Sequence, residues 1–129
     1  MTENDGSTST FDRAMKLRDE GAYEQAVRLF ETLLTEETDG QTRVAAYIQL
    51  GHIYTFCLDL PAKGESYFRA ATELVPSYDV ASLGLFHSLH DQGRDTEALD
   101  EMKRYTSQYS SDEYMQLAKE MKVRFAWFN

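Results

Sequence analysis

Apolar residues recur along this chain at the three- and four-residue spacing of amphipathic α-helices, and no stretch of four or more residues alternates as a strand does. The first apolar stripe begins at Phe11 and ends at Gly21, a residue well suited to the left-handed position after a helix. A second stripe runs over 26–34, before a polar break at 38–40. The pattern predicts helices separated by short breaks.

The remaining stripes predict five more helices. A third helix covers 44–57, and Pro61 suits the first turn of a fourth, which stops before Pro76. A fifth covers 78–91 and is closed by Gly93. Asp95 is expected to cap a sixth, and Ser110, three residues before Glu113, to open a seventh. Seven helices and no strand predict an all-α fold, with residues 1–8 a disordered tail.

The chain also repeats itself. Gly21 is followed by Ala26 and then Phe30, and the same spacing recurs in Gly93, Ala98 and Met102. A middle copy contains Gly64, Phe68, Ala71 and Pro76. The large residues of the three copies are separated by 38 and 34 positions, close to the roughly 34-residue period of repeated helix pairs.

With these residues in these positions, the chain resembles the tetratricopeptide repeat (TPR) family over roughly residues 8–110. The resemblance implies a right-handed superhelical stack of three helix pairs, covering about 9–37, 41–76 and 78–109. A seventh helix, about 111–128, would cap the stack, and 9–129 would form one domain. In such folds small residues let helices approach, and an aromatic residue fills the space between pairs.

The copies depart from the family pattern at particular places. Leu33 and Thr38 replace the later alanine and the closing proline of the first copy. The middle copy has one extra residue between its helices, and Phe86 stands in the third copy where a small residue is expected.

Charge narrows the classes of partner. The net charge is −9, which disfavours nucleic acid because its recognition depends on clustered Lys and Arg. Residues 1–40 carry ten acidic and four basic side chains, more imbalance than the rest of the chain shows. This acidic third either attracts a basic protein partner or only keeps the surface soluble.

Targeting signals and disulfides are not expected. The polar start of the chain lacks the plan of a signal peptide, and no apolar run has the length of a membrane span. One cysteine, Cys57, cannot form an internal disulfide, which favours a cytoplasmic protein.

Catalytic and cofactor motifs are absent from the sequence. There is no phosphate-binding glycine loop and no zinc-protease motif, so we expect a protein that is not an enzyme and needs no cofactor. His87 and His90 stand three residues apart on one helical face. Zinc ligation is one interpretation and ordinary groove polarity the other; no third ligand can be named, so no metal site is predicted.

The resemblance implies a concave groove lined by the first helix of each pair. It would bind a peptide or helix of a partner through apolar anchors. The terminal-carboxylate clamp of chaperone-docking TPR modules is not expected, because its positions hold Phe11, Met15, Gln49, Val80 and Gly84. The predicted groove residues are Phe11, Met15, Ile48, His52, Phe56, Leu83, His87 and His90.

Two questions stay open at this point. The chain is either a general peptide-binding module or a dedicated masking protein for one basic or hydrophobic target, such as a secretion chaperone or an immunity protein. The C-terminal segment 121–129 contains Phe125, Trp127 and Phe128. These aromatic residues either pack on the third repeat or form a weak homodimer contact.

Overall fold

Seven α-helices and one π-helical turn form the part of the chain that the computed structural model describes, residues 9–36 and 39–121. No residue of these ranges belongs to a strand, so the predicted all-α fold is confirmed. The helices are α1 (Thr10–Asp19), α2 (Tyr23–Thr35), α3 (Gly40–His52), α4 (Pro61–Leu74), α5 (Asp79–Asp91), α6 (Asp95–Thr106) and α7 (Asp112–Met121), with the π-helical turn (Ile53–Cys57) between α3 and α4.

The breaks between helices follow from single residues. Gly21 and Gly93 have φ of 81° and 75°, conformations that glycine adopts without a steric cost. Pro61 is the first residue of α4, where a missing backbone N–H costs nothing. These local predictions are confirmed.

Two predicted caps are wrong by one residue. Asp95 is the first residue of α6, and its carboxylate lies 2.8 Å from His90 Nδ1 instead of capping the helix. At α7 the capping side chain is Ser111, whose hydroxyl accepts a hydrogen bond of 3.1 Å from the backbone N–H of Tyr114. Ser110 is exposed and precedes that cap by one position.

From α1 to α6 each helix packs against the next one along the chain, and α7 contacts both α5 and α6 through Tyr114. Two apolar clusters result, one formed by α1, α2, α3 and the π-helical turn, the other by α3 to α7. Helix α3 contributes Ala46 and Leu50 to the first cluster and Val44 and Ile48 to the second. A stack of this kind needs no central core, because each layer is buried by the next.

The contact between the second and third helix pairs is built on Phe68. A Cβ atom added to Gly51 would lie 2.9 Å from the Phe68 ring, and one added to Gly84 would lie 2.2 Å from it. The ring is 2% exposed. Phe86, the residue that departs from the repeat pattern, is also buried and meets Tyr114 of α7 edge-on, so Gly84 supplies the small surface against Phe68.

The extra residue of the second pair is accommodated by the π-helical turn. The Leu58 N–H bonds to the Ile53 carbonyl over 2.9 Å, the i to i+5 pattern that winds one more residue into a turn. On its inner side, Thr55 is 3% exposed and faces Gly64 of α4, where an added Cβ would meet the Thr55 hydroxyl at 1.8 Å.

Helix α7 is held on the stack by a buried polar network. The Tyr114 hydroxyl and the Ser82 hydroxyl are 2.7 Å apart, and Ser82 donates over 2.7 Å to Glu101. Arg104 donates two hydrogen bonds to the same carboxylate, over 2.9 and 2.7 Å. Burial raises the pKa of Tyr114, so its hydroxyl stays protonated. The network fixes which face α7 turns towards α5.

Some predictions fall outside the described residues. They are the disordered tail at 1–8, the capping helix beyond Met121, and the packing or dimer contact of Phe125, Trp127 and Phe128.

Candidate functional site

An exposed phenylalanine between two histidines marks the candidate site. Phe56 is 47% exposed, more than any other large apolar side chain in the described ranges. Its ring centroid lies 5.0 Å from that of His52 and 6.1 Å from that of His87. We call these three residues the aromatic patch. It crosses from the end of α3 to α5 and brings together three of the predicted groove residues.

The π-helical turn determines how Phe56 is presented. Thr55 points inward against α4, and the next side chain is left on the surface above His52. A π-helical turn inside a helical segment is an uncommon feature that often occurs at functional sites. Here it holds a large apolar side chain in solvent, which costs free energy unless a partner covers it.

A cleft of about 540 Å³ between α5 and α7 continues the aromatic patch. His87 belongs to both, since it meets Phe56 on one side and lines the cleft on the other. Leu83 and Leu117 give the cleft apolar walls. Its remaining lining comes from α7: Asp112, Glu113, Gln116 and Glu120.

Both histidines of the aromatic patch are shifted towards the neutral form. Desolvation lowers the pKa of His52, and the nearby positive charge of Arg18 lowers it further. Desolvation also lowers the pKa of His87; the carboxylate of Asp91 opposes this effect and His90 adds to it. Both shifts favour the neutral form of the imidazole rings, which favours apolar contacts at the patch.

We expect this shift to make the fold less stable in mild acid. The unfolded histidines bind protons near their ordinary pKa of 6.5, whereas the folded ones bind them only at lower pH. The stability that this difference provides is complete above pH 6.5 and is lost as the pH falls through the folded values. Urea midpoints of the wild type should fall more between pH 7 and 5 than those of a His52→Gln, His87→Gln double variant. NMR titration midpoints of both rings at or above 6.5 would contradict the expectation.

The other predicted groove residues are placed differently. Phe11 and Met15 are half-buried and pack on the first apolar cluster, with the Phe11 ring 5.5 Å from Phe30. Ile48 is 9% exposed and belongs to the second cluster. Most of the surface of these three side chains contacts neighbouring helices. His90 is exposed, stacks on Phe86 and pairs with Asp95.

The structure also places the residues considered for metal binding and for the terminal-carboxylate clamp. Within 9–36 and 39–121, no group of three or more His, Cys, Asp or Glu side chains could hold a metal ion. Of the clamp positions, Gly84 is buried against Phe68, and Gln49 accepts a hydrogen bond from Arg18. Arg18 also pairs with Asp19 over 2.8 Å, which offsets its charge.

The contribution of α7 was missed by the sequence reasoning, which treated the seventh helix only as a cap. The sequence did contain a pattern that indicates this face of α7. Glu113, Leu117 and Glu120 stand four and three residues apart, the spacing of one helical face. That face could not be assigned to the cleft without knowing how Tyr114, on the adjoining face, docks on α5.

Comparison with known proteins does not assign the chain to a family. The chain matches no known family model, and no curated protein sequence matches it. None of the described helices has both the length and the apolar character needed to cross a membrane.

Proposed function

We propose that this protein is a non-enzymatic interaction module that binds a peptide or helix of a partner protein across the aromatic patch and the cleft beside it. In this proposal the chain is a TPR-like stack, and α3, α5 and α7 form the binding surface. The partner contributes an apolar side chain that covers Phe56.

The observation that carries the proposal is the exposure of Phe56. Every other phenylalanine in the described ranges is buried or half-buried, in contact with a neighbouring helix. Phe56 is 47% exposed and lies beside a cleft with leucine walls. A large aromatic side chain at the centre of such a surface is the type of residue that dominates binding energy at protein interfaces.

The cytoplasm is the proposed location, on the strength of the cysteine content. The one cysteine, Cys57, is free and half-buried in the π-helical turn. A reducing compartment suits a thiol in that position.

Replacing Phe56 with alanine should weaken partner binding by a factor of ten or more, since truncating a central aromatic anchor costs about 2 kcal/mol or more. The probe is a displayed library of random peptides, enriched on the purified wild-type chain. The best peptides are then resynthesised, and their dissociation constants measured for both proteins by fluorescence anisotropy. Leu74→Ala is the matched control, because Leu74 is 44% exposed on α4 and does not line the cleft.

Two results would contradict the proposal. One is a library that yields no peptide binding specifically to the folded chain. The other is a set of peptides that bind the Phe56→Ala and Leu74→Ala variants as tightly as the wild type.

A further inference from the structure

The cleft has a strongly asymmetric charge. Its α5 side is formed by Leu83 and His87, whereas its α7 side includes three acidic residues, Asp112, Glu113 and Glu120, which we call the acidic wall. Among residues 9–36 and 39–121, no Lys or Arg side chain lines the cleft.

The acidic wall is not neutralised from within the described residues. Glu120 accepts a hydrogen bond of 3.2 Å from Gln116, and Glu113 lies 3.5 Å from the Ser111 hydroxyl. Among the ion pairs of the described ranges, none involves a carboxylate of the acidic wall. By contrast, the carboxylates between α4, α5 and α6 are paired: Glu65 with Arg69 and Arg94, and Glu101 with Arg104.

We propose that the partner segment bound here carries a large apolar anchor for Phe56 together with Lys or Arg side chains that pair with the acidic wall. This inference rests on the proposed function and adds the chemistry of the ligand. It also changes which carboxylates are expected to select a basic partner. The sequence placed the acidity in the first third of the chain, whereas the carboxylates beside the aromatic patch come from the last described helix.

Continuity of the surface supports one ligand making both contacts. His87 touches Phe56 and lines the cleft, so no helix separates the apolar anchor point from the acidic wall. A Lys or Arg side chain has an apolar stem that can lie along Leu83 or Leu117 while its charged end reaches a carboxylate. An acidic ligand would meet three like charges in the same place and be rejected.

The test uses the full chain and a random-peptide display library selected at low ionic strength. Enriched peptides should combine an aromatic or leucine residue with Lys or Arg, and their binding should weaken as salt is added. A Glu113→Gln, Glu120→Gln variant should bind them about three- to tenfold more weakly, the effect of losing two exposed charge pairs. The control is a Glu36→Gln, Glu73→Gln variant, which removes the same charge from two exposed positions outside the cleft.

The outcomes separate this inference from the proposed function. Peptides that depend on Phe56 but carry no basic residues, or that bind the two double variants equally, overturn the inference and leave the function standing. A library that yields no specific binder overturns both. A concentration-dependent dimer that disappears in the Phe56→Ala variant shows a second copy to be the occupant and also overturns the inference.

Discussion

Replacing Phe68 with alanine is expected to lower the free energy of unfolding by about 3–5 kcal/mol. The ring is 2% exposed and fills the space between Gly51 of α3 and Gly84 of α5. Its removal leaves a cavity bounded by two residues that have no side chains to move into it, so the site collapses poorly. Urea denaturation, monitored by the circular dichroism of the helices, should show a lower midpoint for the Phe68→Ala variant than for the wild type.

Phe56 supplies the matched control for this prediction. Phe56→Ala removes the same atoms from a half-exposed ring and should change stability by less than about 1 kcal/mol. A loss from Phe68→Ala no larger than that from Phe56→Ala would show that the second and third helix pairs do not depend on this contact.

A pair of substitutions tests the contact between Gly84 and the Phe68 ring. Gly84→Ala alone should destabilise the fold, because the new methyl group would lie 2.2 Å from the Phe68 ring. In a Phe68→Leu background the same substitution should cost less, since the smaller side chain leaves room for the methyl group. Additive effects of the two changes would contradict the placement of the ring against Gly84.

Replacing Gly64 with alanine should destabilise the protein by about 1–3 kcal/mol or more, although alanine is intrinsically the better helix former. The added Cβ would lie 1.8 Å from the Thr55 hydroxyl and 2.8 Å from the Gly51 carbonyl oxygen. A side chain can rotate away, but a backbone carbonyl cannot, so α4 would have to move off α3 and the π-helical turn. Because that turn presents Phe56, peptide binding should weaken together with stability.

Gly40 and Thr55 provide the controls for Gly64. Gly40→Ala adds a methyl group at the start of α3 with nothing within 4 Å, and should leave stability unchanged or raise it by up to about 1 kcal/mol. A Thr55→Ala, Gly64→Ala double variant should recover part of the loss, because the hydroxyl contact is gone and the carbonyl contact remains. A Gly64→Ala variant as stable as Gly40→Ala would refute the close approach of the two helices.

Helix positions were well predicted because they depend on local sequence. Breaks at Gly21, Pro61 and Gly93 follow from the φ values that glycine and proline adopt, whatever the tertiary fold. The caps of α6 and α7 were misplaced by one residue. At α6 the carboxylate of Asp95 bonds to His90, five residues earlier, and at α7 the second of two adjacent serines makes the capping bond.

The candidate site was only half predicted. His52, Phe56 and His87 were expected on one surface, and their rings do lie together. Phe11, Met15 and Ile48 were expected there too, but they pack mainly on neighbouring helices. An amphipathic stripe shows which residues share a helical face, not how closely the next helix covers that face.

For residues 9–36 and 39–121 the sequence alone determined an all-α arrangement of seven helices, with the residues of a repeated helix pair in register, and it also determined the negative net charge. These are local or compositional properties, set by the spacing of apolar residues, by glycine and proline, and by the count of charges. The tertiary structure decided the rest. Docking of α7 through the contact between Tyr114 and Ser82 placed the acidic wall along the cleft that His87 shares with the aromatic patch, and that contact joins residues 32 positions apart. The position of the exposed Phe56 near the acidic wall therefore became visible only once the helices were packed.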